Sequence, residues 1–156
     1  MKNYTIRPIK TGDEAQVLEM VKSLLLHLGD GIEHFDDDRF LKDVFGEDPQ
    51  CSLFVAATPV EKLLAYILFH DSYEPGHAAR GVYVVDFYVE AQVRGKGIGT
   101  ALLQAVARDA HARGRDFIWL VTTHDEARAY YDRKMDVKVE VTAYALTGER
   151  FEALIG

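Results

Sequence analysis

The sequence has one cysteine, Cys51, which excludes an internal disulfide framework. Its six histidines, at positions 27, 34, 70, 77, 111 and 124, form no cluster with zinc-ligand spacing, so no metal is expected. No apolar run approaches the roughly 18 residues that a bilayer-spanning helix needs. The stretch from Met1 to Lys10 carries only isolated apolar residues, and no signal peptide is expected there. Basic residues are scarce as well, 18 against 25 acidic, for a net charge of −7. That balance opposes non-specific binding to nucleic acid or to an anionic membrane, both of which draw on a positive field. It suits a cationic small molecule, and it equally suits plain solubility. The expectations are a cytoplasmic protein with no membrane and no nucleic-acid partner.

The chain has 156 residues, 48% of them hydrophobic and 28% charged, enough for one domain with a self-sufficient core. Residues 1–156 are expected to form a single domain, without linker or internal repeat. Asn3–Ile9 reads as a short first strand. Thr11 and Glu14 fit a capping box, and Val17, Leu18, Val21, Leu24, Leu25 and Leu28 then recur at helical spacing up to Gly29. A second helix is expected from about Asp38 to Phe45, stopping at Gly46. Three β-rich runs follow at Ser52–Ala57, Leu63–Tyr73 and Gly81–Glu90, then a helical pattern through about Arg113. Phe117–Val121 reads as a buried strand, 126–134 as a helix, and the alternation of Val137–Leu146 as a last strand. The order β-α-α-β-β-β-α-β-α-β predicts an α/β fold, a mixed sheet with helices on both faces.

The most informative segment is Asp86-Phe87-Tyr88-Val89-Glu90-Ala91-Gln92-Val93-Arg94-Gly95-Lys96-Gly97-Ile98-Gly99-Thr100. A strand leads into a glycine-rich turn that opens directly into a helix. Glycines admit positive φ and close approach, and the amides at the helix start make an anion site. Arg94 and Lys96 add positive charge where phosphates would sit. The chemistry predicted is a bound diphosphate. Neither a Walker loop nor a dinucleotide fingerprint fits, because no Lys-Ser or Lys-Thr pair follows a suitable glycine and Gly95, Gly97 and Gly99 are spaced by two and two.

Arg94, Gly97 and Gly99 do satisfy Arg/Gln-x-x-Gly-x-Gly/Ala, and the segment resembles the coenzyme A pyrophosphate loop of the GNAT N-acetyltransferase superfamily. The preceding Asp-Phe-Tyr-Val strand, the later Ala127-Arg128-Ala129-Tyr130-Tyr131 and the order of elements extend the resemblance over nearly the whole chain. Within the superfamily the chain is similar to spermidine/spermine N-acetyltransferases and their thialysine-acetylating relatives. Ile6-Arg7-Pro8, Phe45-Gly46-Glu47 and Val85-Asp86-Phe87-Tyr88-Val89 carry that likeness, joined to the Arg94–Gly99 loop.

The resemblance implies a GNAT fold with a splay between the fourth and fifth strands, and acetyl-CoA as cosubstrate without a metal. It implies that the backbone of Phe87, Tyr88 and Val89 binds the pantetheine arm, and that Arg94, Gly95, Lys96, Gly97, Ile98, Gly99 and Thr100 hold the pyrophosphate. His124 stands where many relatives have an asparagine that helps bind the coenzyme. The implied acceptor is a small cationic amine, attacking the thioester directly, and the implied assembly is a homodimer. A protein or peptide N-acetyltransferase and a non-catalytic acyl-CoA-binding module are the alternatives.

By its spacing alone Tyr131 reads as a packing aromatic on a helix; the resemblance instead gives it the position of the family's general-acid tyrosine. The polyamine enzymes carry a Glu-Asp pair before the aromatic strand residues, and here those positions are Val85-Asp86. Asp86 is therefore either an ammonium ligand and proton relay or a satisfied structural acid. Glu90, His70 and His124 are weaker candidates for the base. The acidic run 36–38 reads as a solvated helix cap rather than a substrate attractor.

Overall fold

The computed structural model describes residues 3–155. Five strands form one sheet in the order β1-β2-β3-β4-β5: β1 (Thr5–Pro8), β2 (Ser52–Ala57), β3 (Leu63–Glu74), β4 (Ala79–Val89) and β5 (Phe117–Leu120). The first four pair antiparallel, and β5 runs parallel to β4. The chain divides into two compact units, the first ending at Val121 and the second beginning at Thr122. The whole sheet lies in the first unit.

Strand alternation gives the sheet two apolar faces. Tyr66 and Leu68 of β3 join Leu53 and Val55 of β2 in a cluster with Val17, Val21 and Leu24 of α1 (Glu14–Leu28) and Val44 of α2 (Asp37–Phe45). The intervening residues Ile67, Phe69, Val82 and Val84 are also buried, and α3 (Ile98–Ala112) packs against the strands while burying Leu102, Val106 and Ala110. Helices thus cover both faces of a mixed sheet, as the sequence predicts. Gly29, at φ 84°, ends α1 and donates its N–H to the carbonyls of Leu25 and Leu26.

Two local expectations are corrected. The capping box does not form, because α1 starts one residue after Asp13 and Asp13 makes no side-chain cap. Glu14 instead accepts from the Gly12 N–H at 2.7 Å. Asp13 is 2% exposed and takes both terminal nitrogens of Arg7, at 2.7 and 3.0 Å, together with the Lys10 N–H at 2.9 Å. A bidentate arginine on β1 outcompetes local capping for the buried carboxylate. The same guanidinium reaches Glu61, in the β2–β3 connection, at 2.7 Å.

The second correction is the last strand. Val137–Leu146 is not a strand, and Val137, Val139, Val141 and Tyr144 are exposed, Tyr144 by 93%. Period-two alternation needs a ladder partner to become a strand, and this segment has none among the described residues. The second unit instead holds two helices, α4 (Asp125–Tyr131) and an unanticipated α5 (Gly148–Ile155).

Burial alone would raise the Asp13 pKa, but the Arg7 and Lys10 hydrogen bonds outweigh it and hold the carboxyl below its ordinary value. The stabilisation is therefore complete above the unfolded carboxylate pKa and is lost as pH falls through the lowered folded value. Arg7→Ala, which leaves Asp13 buried and unpaired, is expected to cost about 2–3 kcal/mol in urea unfolding at neutral pH. Asp13→Asn is expected to flatten the loss of stability on acidification between about pH 5 and pH 2.

Candidate active site

The parallel ladder between β4 and β5 runs through Gly81↔Phe117, Val82↔Ile118, Tyr83↔Trp119 and Val84↔Leu120, and ends there, although β4 continues to Val89. At the same place the β3–β4 register shifts: Phe69 pairs with Val84 and Leu68 with Asp86, which leaves Val85 as an extra residue in β4. A bulge bends its strand and increases the local twist, so β4 turns away from β5 where the ladder stops. This is the splay that the resemblance implies. Val85, which stands where the polyamine enzymes carry glutamate, is the bulged residue and is 43% exposed.

Past the bulge, Asp86, Phe87, Tyr88 and Val89 keep their antiparallel pairing with β3. Asp86 is half-buried and accepts a long 3.3 Å hydrogen bond from the Tyr66 hydroxyl. Tyr66 is fully buried, and its ring stacks on Tyr88 with centroids 6.0 Å apart. Burial pushes the Asp86 carboxyl above its ordinary range, and the Tyr66 hydrogen bond offsets part of that rise. Burial, followed by the Asp86 charge, raises the Tyr66 phenol, so Tyr66 is a donor across the neutral range. Cys51 carries no nucleophilic role by this environment: burial, with Asp43 and Asp86, pushes its thiol up and disfavours the thiolate.

After β4 the chain makes a 3-10 turn over Ala91–Val93 and enters the glycine loop. Arg94 Nε donates to the Val89 carbonyl at 2.9 Å, and Lys96 Nζ to the Gln92 carbonyl at 3.1 Å. Gly95 and Gly97 have φ of 75° and 82°, the left-handed region that disfavours a side chain. A Cβ at either position would meet no atom within 4 Å, so conformation, not crowding, requires glycine and the front of the loop is open. Gly97 is the N-cap of α3 and, as a glycine, gives that helix no side-chain cap. Buried Ile98 anchors its start, with Gly99 and Thr100 completing the first turn. An uncapped helix start beside two cationic side chains fits a phosphate group.

Every predicted residue from Asp86 to Thr100 is therefore brought together in the first unit. Tyr131 and His124 belong to the second unit. His124 is exposed, precedes α4, and donates its N–H to Thr122 Oγ1 at 3.2 Å. Tyr131 ends α4, half-buried, in an edge-to-face contact with Tyr130 at 5.3 Å. Burial, then the neighbouring Tyr130, raises its pKa, so the phenol keeps its proton at neutral pH. Among the described residues no group of His, Cys, Asp and Glu side chains is arranged to hold a metal ion, and no helix is long and apolar enough to cross a membrane.

Two features of this site were not read from the sequence. Tyr66 becomes the partner of Asp86 through a diagonal across the β3–β4 pair, and the bulge at Val85 fixes which residues lie opposite. An aromatic in one strand and an acid in the next give no sign of either until the register is known.

Comparison with known proteins agrees with this geometry. Residues 19–136 match the family model described as "Acetyltransferase (GNAT) family". The thialysine N-epsilon-acetyltransferase of Sus scrofa is 30% identical over 123 residues, covering 73% of this chain and 71% of that protein. The Bos taurus protein of the same name is 30% identical over 118 residues, covering 70% and 68%. Among solved structures, an integron cassette protein from the mobile metagenome of V. cholerae superposes with a TM-score of 0.80 at 16% identity, covering 99% of both chains. A ribosomal-protein-alanine N-acetyltransferase from Brucella melitensis biovar Abortus superposes at 0.74 and 21% identity, covering 93% of this chain and 99% of that one. At these identities the structures speak to the fold alone. With more than half of its length matched by the family model, and with the parted strands and uncapped glycine loop in place, the chain belongs to the GNAT acetyltransferase family and is an N-acetyltransferase.

Proposed function

We propose that the enzyme transfers the acetyl group of acetyl-CoA to a primary amine of a small cationic acceptor, a polyamine, thialysine or a lysine-like molecule. The observation that carries this is the bulged strand β4, which leaves β5 after Val84 and delivers the chain into a positive-φ loop and an uncapped helix. The names of the curated relatives and the acidic composition support the acceptor class. On the family resemblance we extend the proposal to one catalytic domain that works as a cytoplasmic homodimer.

When bound, acetyl-CoA supplies an activated thioester carbonyl. Phe87, Tyr88 and Val89 would orient its pantetheine arm through the strand backbone. The Arg94–Thr100 segment would hold the pyrophosphate on backbone amides and positive charge, and His124 would add a coenzyme contact. Asp86 would bind the acceptor's ammonium and take its proton through water, a task helped by a pKa raised towards the working pH. The amine nitrogen would then bond to the carbonyl carbon and the carbon–sulfur bond would break; Tyr131 would give its proton to the departing sulfur, and the proton shed by the new amide nitrogen would return through water to Tyr131.

The deciding experiment measures thiol release from acetyl-CoA across spermidine, thialysine, lysine, an aminoglycoside and a short basic peptide, with product masses read in parallel. Acceptor-dependent release with a matching acetylated mass is expected for at least one small amine. Release with the peptide alone would move the enzyme to the protein-acetylating class, and binding without release would make it an acyl-CoA-binding module.

Tyr131→Phe is expected to lower kcat by about 10²- to 10⁴-fold, the usual worth of a general acid, with acetyl-CoA affinity retained in calorimetry. Gly97→Ala is expected to weaken acetyl-CoA binding about tenfold, because holding alanine at positive φ costs about 1–2 kcal/mol. For Asp86, whose folded pKa is raised, ionisation opposes folding, and stability declines as pH rises from the ordinary carboxylate range through the raised value. Asp86→Asn is therefore expected to raise Tm at neutral pH while lowering turnover. A variant that loses both would mark Asp86 as structural.

A further inference from the structure

The sheet face that carries Asp86 also carries a row of aromatic rings. Tyr66, Leu68 and His70 share one face of β3 by alternation, and Asp86 is tied to that face through the Tyr66 hydroxyl. His70, Tyr83 and Trp119 stand opposite one another on β3, β4 and β5. Their rings touch in sequence, His70 to Tyr83 at 5.4 Å and Tyr83 to Trp119 at 4.7 Å. Trp119 is 45% exposed, an unusual position for a large aromatic on a short strand. Its indole N–H is used, donating to Ser72 Oγ at 3.1 Å, so the ring is held in place while its surface stays accessible.

The chemistry of the row selects its ligand. Tyrosine and tryptophan present negative ring faces to a cation. His70 Nδ1 lies 2.8 Å from the Asp71 carbonyl, which can only accept, so Nδ1 is the donor of that bond. None of the side chains that register and alternation place on this face, from Tyr66 to Ser72 and from Tyr83 to Tyr88, is a lysine or arginine. Arg113 and Arg115 are bound to Asp71, which alternation puts on the opposite face, and Arg80, opposite Tyr73 in the ladder, belongs to that same opposite face. The row lies one same-face step from the Leu68–Asp86 pair, about 7 Å along the strand. That is the reach of a lysine-like side chain.

We infer that His70, Tyr83 and Trp119 form the subsite for the far, second cation of the acceptor, with the reacting amine at Asp86. This rests on the proposed small-amine reading and gives it a specificity device: preference for acceptors with two cationic centres over simple alkylamines.

Trp119 is the chain's single tryptophan, which makes the subsite observable without turnover. Cadaverine and pentylamine are titrated into the protein in the absence of acetyl-CoA while tryptophan emission is followed, and both are then assayed for thiol release with the native protein and with Trp119→Leu and Trp119→Phe. Saturable change in emission is expected with cadaverine and little with pentylamine. Trp119→Leu is expected to raise the cadaverine KM about three- to tenfold, the usual worth of a cation–π contact, with the pentylamine and acetyl-CoA KM values unchanged. Trp119→Phe is expected to recover part of the loss. An unchanged cadaverine KM in Trp119→Leu, or flat emission in a protein that turns cadaverine over, would overturn the subsite and leave the acetyltransferase reading standing. Equal losses for cadaverine and pentylamine would assign Trp119 to packing. Absence of turnover with every amine would instead count against the small-amine reading itself.

Discussion

The parting of β4 from β5 is the constraint on which the candidate site in the first unit depends. Two parallel strands paired along their whole length would satisfy each other's backbone groups and offer nothing to a ligand. Here one additional residue, Val85, bends β4 at the end of the ladder. The strand that leaves still has its other edge secured to β3, so it departs without fraying. It delivers the glycine loop to the start of α3, whose Ile98 is buried in the layer beneath. The sheet thus presents a segment of strand edge and the start of α3 in a fixed relation.

The carboxylate at this point gains its character from the hydrophobic core rather than from neighbouring charges. Tyr66 belongs to the cluster formed with α1 and α2, yet its hydroxyl ends on Asp86. Packing in that layer therefore reaches the acid directly, through the depth at which Tyr66 sits and the water it excludes. At the position where the resemblance places a glutamate, this chain has the bulged valine.

Much of the fold was legible because its signals are local. The spacing of Val17, Val21 and Leu24, the stop at Gly29 and the β-rich runs 52–57 and 63–73 needed no tertiary knowledge. The glycine loop was legible for the same reason: its chemistry lies in consecutive residues. The failures were long-range. Thr11 and Glu14 read as a capping box, but the helix begins after Asp13, which an arginine from β1 claims. Val137–Leu146 has the alternation of a strand without a partner among the described residues to make it one, and the strand reading of that segment left the short helix after it unread. Tyr66 and Asp86, 20 residues apart, meet only once the register across a bulge is set.

Gly81 has a consequence that reaches well beyond its own position. A Cβ there would fall 2.5 Å from the Phe117 ring, so the aromatic lies directly over a residue without a side chain. This fit works as a key for the only parallel pairing in the sheet: sliding β5 by one same-face step towards Tyr83 would drive Phe117 into another aromatic, and a shift by one residue would turn its face over. The alignment of the two strands is thereby indexed at their paired end, and the mouth of the cleft opens at a fixed distance from that index. A glycine well away from the chemistry sets where the cleft begins.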